Sequence, residues 1–237
     1  MTAVINGGDK MNPEKREKSI PELNNQENEA KRQQSLKERC EQYRSSLKNK
    51  DPQSVARQAA VSIVPDKDGG ISLQGAHFNE DYKISWPELV ITDSAGEAAS
   101  LETEALWLHY LDRADGHPLA GRWVNLSEIG GLFYQQAFQG YSGDMLAEFW
   151  GDNMEGLEKV CRANGGWHIP DLADLAFEWR ILPRFPICLC YRRPKGTKSA
   201  WASLLFDAAS GHYVAADVAA IFGKKLADRL VNPSHEE

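Results

Sequence analysis

The sequence predicts an α+β fold in which a largely antiparallel sheet packs with several helices. Hydrophobic positions switch in groups between helical spacing and strict alternation, and the groups do not follow the βαβαβ rhythm of a parallel sheet. The chain has 237 residues, 42% hydrophobic and 26% charged, an ordinary composition for one well-buried core with extensions.

Residues 1–26 are polar, rich in Asn, Lys and Glu, and too poor in apolar side chains to offset chain entropy, so a disordered tail is expected. A charged N-terminal helix follows from Glu27 to Lys50, where Leu36, Cys40, Tyr43 and Leu47 form a narrow stripe able to dock on the body. Asp51-Pro52 opens a further helical turn with Val55, Ala59 and Ala60 inward. Between Gly69 and Thr92 the period changes to alternation, which predicts two or three antiparallel strands with a turn at Asn79-Glu80-Asp81. Ser94 and Glu97 have capping-box spacing, and the helix after them places Leu101, Ala105, Leu108 and Leu111 on one face, with Glu104 in the same arc.

Ala114-Asp115-Gly116-His117-Pro118 breaks that helix, and residues 122–126 read as a short strand. Gly130-Gly131 precedes helices near 132–139, 144–150 and 154–163, the last stopped by Asn164-Gly165-Gly166. Three strands follow at residues 172–182, 186–193 and 200–207. A closing helix carries Val214, Val218, Phe222, Leu226 and Leu230, four residues apart. The expected organisation is thus a tail over 1–26, one domain over 27–231 and a short tail over 232–237.

The formal charge is −7, and the basic residues gather only at Arg192, Arg193, Lys195 and Lys198, so no nucleic-acid partner is expected. The N-terminus lacks an apolar signal core and no apolar run would cross a membrane, which predicts a cytoplasmic protein. Four cysteines without the density of a disulfide scaffold fit a reduced compartment. Cys188 and Cys190 are separated by one residue in a strand and are read as facing opposite ways, so neither an intrinsic iron–sulfur cluster nor zinc is expected.

Residues 107–138 (WLHYLDRADGHPLAGRWVNLSEIGGLFYQQAF), the turn Leu182-Pro183-Arg184-Phe185-Pro186-Ile187, and residues 204–222 (LLFDAASGHYVAADVAAIF) closely resemble the family catalogued as domain of unknown function 3786. The resemblance covers roughly residues 30–230. Members are single-domain proteins or are joined to a four-cysteine iron–sulfur domain and come mostly from anaerobic bacteria and archaea. The resemblance implies anaerobic cofactor metabolism and no particular reaction.

Candidate ligand-binding residues are His109, Tyr110, His117, Trp123 and Tyr134, close in sequence, together with Arg184 of the LPRFP turn. Aromatic walls, an optional imidazole and a guanidinium fork suit a flat apolar ligand with peripheral carboxylates, though such aromatics at helical and strand spacing usually serve as core. With the family context, these residues lead to the expectation of a non-catalytic ligand-binding or cofactor-handling protein that prefers a tetrapyrrole, haem or corrinoid. Two alternatives stand beside it. One is an enzyme with an acid–base site drawn from Glu104, Glu128, Asp207 and His212; the other is an interaction module docking its charged helix on an iron–sulfur protein.

Overall fold

The computed structural model describes residues 20–66 and 69–232, with side chains from residue 30 onward. The chain is α+β, with two antiparallel sheets among the described residues. Helix α1 (Ile20–Leu47) begins before Glu27, where the sequence reading starts it; residues 1–19 and 233–237 lie outside the described residues. Cys40 and Leu47 of α1 are buried and Leu36 and Tyr43 partly so, as the stripe predicts. Helix α2 (Pro52–Ala59) is capped by the Asp51 carboxylate, which accepts the Ser54 N–H at 2.9 Å. It ends at Ala60 in the left-handed region, so Ala60 is exposed and Ala56, not Ala60, turns inward.

The first sheet has the order β1 (Ser62–Pro65), β2 (Ile71–His77), β3 (Glu80–Trp86), β4 (Ile91–Asp93). The β2–β3 turn is Phe78-Asn79, one residue earlier than expected, with both residues at positive φ as a two-residue hairpin requires. Phe78 also donates its N–H to the Ile181 carbonyl at 3.2 Å, joining this sheet to the second. Gly75 of β2 sits beneath Trp107, and a Cβ there would lie 2.8 Å from the indole.

Helix α3 (Leu101–Arg113) starts with Ser100, whose hydroxyl accepts the Thr103 N–H, and not with the Ser94/Glu97 capping box. The Asp93 carboxylate takes the N–H groups of Ala95 and Glu97, both at 2.9 Å, and this local turn outcompetes a helix start there. Residues 105–111 are all buried, because α1, α2 and the first sheet cover α3.

The second sheet has the order β5 (Trp123–Val124), β9 (Trp201–Asp207), β8 (Phe185–Arg192), β7 (Leu175–Leu182), β6 (Trp167–His168). Helices α4 (Gln135–Gln139), α5 (Met145–Trp150), α6 (Met154–Ala163) and α7 (Ala216–Val231) complete the fold. The helix expected at 132–139 starts only at Gln135 and continues into a π turn, Gly140–Asp144. That turn runs beside the stretch of β9 that β5 leaves unpaired: Gln139 Nε2 donates to the Ala202 carbonyl at 2.9 Å, shielding a sheet edge.

Alternation places Phe185, Ile187, Leu189 and Tyr191 of β8 in the main core with Phe222, Leu226 and Leu230 of α7. On the opposite face Cys188 and Cys190 lie together with Ala176. This corrects the sequence reading, because residues two apart in a strand share a face. Cys188 Sγ donates to the Leu189 carbonyl at 3.6 Å, and the neighbouring Cys190 thiol together with burial pushes the Cys188 pKa up.

Candidate functional site

A groove of about 290 Å³ runs between α1, α3 and α7. Leu36, Ala105, Leu106, Val218 and Ile221 supply apolar walls, and Arg32, Arg39, Lys225 and Glu102 stand around them. The cations Arg39 and Lys225 thus stand beside an apolar recess, while Asp112 and Asp217 also act on the Tyr43 hydroxyl. Burial lowers the pKa of Lys225, with Glu102 opposing that shift. No ion pair is seen for Arg39 or Lys225 among the described residues.

His109 and Tyr43 form the polar centre of the groove. His109 Nε2 accepts the Ala215 N–H at 3.0 Å, at the start of α7, while Nδ1 lies 3.0 Å from the Tyr43 hydroxyl. A backbone N–H can only donate, so Nε2 is unprotonated and the ring proton sits on Nδ1, directed to the Tyr43 oxygen. The Tyr43 hydroxyl therefore accepts from His109 and turns its own proton elsewhere. Burial lowers the His109 pKa to about 4, aided by the Arg113 charge, and raises that of Tyr43. Both groups are neutral near pH 7. With both ring nitrogens engaged, His109 has no lone pair to offer a haem or corrinoid metal.

Of the six residues suggested by the sequence, only His109 lines this groove. Tyr110 is fully buried; its hydroxyl donates to the Ala59 carbonyl at 2.6 Å and accepts the Arg184 N–H at 3.0 Å. The Arg184 guanidinium donates to the carbonyls of Gly116 and His117, each at 3.0 Å, and to the Tyr213 hydroxyl at 3.3 Å. Tyr213 donates in turn to the His117 carbonyl. Tyr110, Arg184 and His117 are thus brought together, but as a latch holding the loop after α3. The His117 ring stacks on His212 at 4.0 Å, and His212 Nδ1 meets Asp115 at 2.7 Å. Hydrogen bonds from His212 and from the His117 N–H hold the Asp115 carboxyl below the usual carboxylate range.

Trp123 packs on the outer face of the second sheet near the cysteine pair, and Tyr134 lies exposed on the turn before α4. Neither borders the groove. Of the acid–base candidates, Glu128 and His212 line one open cleft together with Asp115, whereas Glu104 pairs with Arg44 at 2.6 Å; Glu128 lies 3.4 Å from Arg122. Asp207 accepts the N–H groups of Ala120, Gly121 and Ala209. No group of three His, Cys, Asp or Glu side chains able to hold a metal ion occurs among the described residues. None of the described helices is long and apolar enough to cross a membrane.

The sequence reading does not single out Arg39 or Lys225, and takes Tyr43 only as part of the α1 stripe. A signal for Lys225 exists in Val218, Ile221 and Lys225, spaced three and four apart beside the Phe222–Leu226 stripe; it marks a second helix face that ends in a cation.

The architecture and groove define an α+β protein with a small, partly apolar, cationic recess between three helices. Residues 51–229 match the family described as Domain of unknown function (DUF3786), and the chain belongs to that family. No curated protein and no solved structure matches the chain. Helix α1, one wall of the groove, lies outside the matched residues.

Proposed function

We propose that this protein is a non-catalytic binding protein whose ligand is an amphipathic anion seated in the α1–α3–α7 groove. The observation that carries the reading is the Tyr43 hydroxyl: His109 fixes it as a donor at the centre of an apolar recess, with Arg39 and Lys225 at the rim. Ligand pockets are mostly apolar, with a few placed polar groups that fix orientation. A carboxylate accepting from Tyr43 and facing these cations, its hydrocarbon part along Leu36, Leu106 and Val218, satisfies every group named.

Haem and corrinoids remain within this proposal as its largest members. The volume lies at the low end of the ligand-pocket range of about 300–1,000 Å³, so a macrocycle would enter by one carboxylate-bearing edge only. An enzyme has less support, since Glu104 is paired with Arg44 and Glu128 is exposed in an open cleft with His212.

The test is titration of the protein, reduced and under anaerobic conditions, with decanoate, haem and cobinamide. Decanoate is expected to bind, and Tyr43→Phe to weaken it about 2–10-fold, the worth of one neutral hydrogen bond. Arg39→Ala should weaken it further and reduce its salt dependence. Absence of binding by all three ligands, or binding indifferent to Tyr43→Phe and Arg39→Ala alike, overturns the assignment.

A further inference from the structure

The hairpin between β8 and β9 concentrates positive charge in a chain of net charge −7: Arg192, Arg193, Lys195 and Lys198 fall within one short turn. Lys195 and Lys198 exchange both backbone hydrogen bonds, at 3.0 and 3.1 Å, so they are directly opposed and their side chains rise from the same face. These residues line an open cleft of about 720 Å³ together with Asp174 and Trp201. Asp174 accepts the Arg193 N–H at 3.0 Å and lies 4.0 Å from its guanidinium. Among the described residues no carboxylate pairs with Arg192, Lys195 or Lys198.

Trp201 completes the cleft. It is the cross-strand partner of Arg192, whose guanidinium lies 5.5 Å over the indole, yet 44% of the residue stays exposed. An exposed indole beside three solvated cations without carboxylate partners offers a ring face and positive charge side by side. A ligand with a flat ring and adjacent negative charge uses both, by stacking on Trp201 and accepting from lysine and arginine.

The geometry points to a nucleotide site: a nucleoside di- or triphosphate whose base stacks against Trp201 and Arg192 and whose phosphates meet Lys195, Lys198 and Arg193. The cleft is wide enough for one nucleotide, and the acidic remainder of the chain repels a long polyanion, so a mononucleotide is favoured over a nucleic-acid strand. This site is separate from the groove of α1, α3 and α7 and does not depend on its ligand.

Calorimetric titration of the full chain at low salt with ATP, adenosine, tripolyphosphate and a short oligothymidylate tests it. ATP is expected to bind with a dissociation constant below about 1 mM, more tightly than adenosine or tripolyphosphate. The exposed double variant K195E/K198E should lose at least about tenfold, as two charge-assisted contacts become repulsive. Trp201→Ala should weaken ATP about fivefold or more and leave tripolyphosphate unchanged. Tyr43→Phe, in the other site, should leave ATP binding as it is. No ATP binding, ATP binding unaffected by K195E/K198E, tripolyphosphate as tight as ATP, or tighter binding of the oligothymidylate would each overturn the nucleotide assignment.

Discussion

At the scale of single residues, burial decides what the histidines do. His109 is 8% exposed with both nitrogens bonded, and His77 is 5% exposed with Nδ1 lacking a partner; their pKa values fall to about 4 and about 3. The native state therefore holds both rings neutral. Below about pH 6.5 the unfolded chain takes up protons that the native chain refuses, so stability is full above that pH and declines as the pH falls toward 4. For His109 the shift from 6.5 to about 4 corresponds to on the order of 3 kcal/mol. Urea unfolding at about pH 7.5 and 4.5 should show this loss, and His109→Gln should reduce it by removing one of the two groups. An unchanged loss in the variant would place the acid sensitivity elsewhere. The sequence marks this residue as a candidate ligand-binding histidine, but not its bond to the backbone of another element. The hydrogen bond from Ala215 crosses 106 positions of sequence, and no local pattern announces it.

At the scale of elements, strong periodic signals were legible and competitive local ones were not. The α1 stripe, the β7–β8–β9 strands and the α7 stripe stand where their apolar spacing puts them, because tertiary packing rewards the same faces that the pattern defines. Strand β1 escaped notice because three of its four residues are exposed, so it carries no alternation. The Ser94/Glu97 box misled because Asp93 uses the same N–H groups for a turn. The π turn at 140–144 reads in sequence as loop, Gly-Tyr-Ser-Gly-Asp, and glycine at 143 lets it lie against β9, where a Cβ would come within 2.3 Å of the Ala202 carbonyl. Arg184 shows the same limit on the binding residues: a lone arginine between prolines suggested a ligand clamp, whereas its partners are three groups of the protein. Arg184→Ala is accordingly expected to cost about 1.5–3 kcal/mol of stability through lost charge-assisted bonds to the loop after α3. Backbone hydrogen exchange should rise around Gly116 and His117, while decanoate binding in the α1–α3–α7 groove, which Arg184 does not line, holds; an unmoved thermal midpoint would mean the latch contributes little.

At the scale of the whole molecule, the question is what makes two separate sheets one folding unit. No strand pairs across them, and their direct backbone link is the Phe78 N–H on the Ile181 carbonyl. Side chains supply the rest. Phe222 of α7 is fully buried, with His77 of the first sheet at 5.5 Å on one side and Phe185 of the second at 5.3 Å on the other. Nearby, Arg229 of the same helix covers the Phe78 ring at 4.2 Å. One face of α7 thus touches both sheets, and another contributes Val218, Ile221 and Lys225 to the groove. Truncating Phe222 to alanine removes ring contacts to both sheets at once and leaves a cavity between them. The expected cost is about 3–5 kcal/mol, the usual range for a buried aromatic. If α7 is the joint between the sheets, unfolding of Phe222→Ala stays a single transition when followed by far-ultraviolet dichroism and by tryptophan fluorescence, shifted to lower denaturant with both probes together. A loss below about 1 kcal/mol would show that this ring is not a principal support. Two transitions in the wild-type chain would show that the sheets are stable independently and that the contacts through α7 only align them.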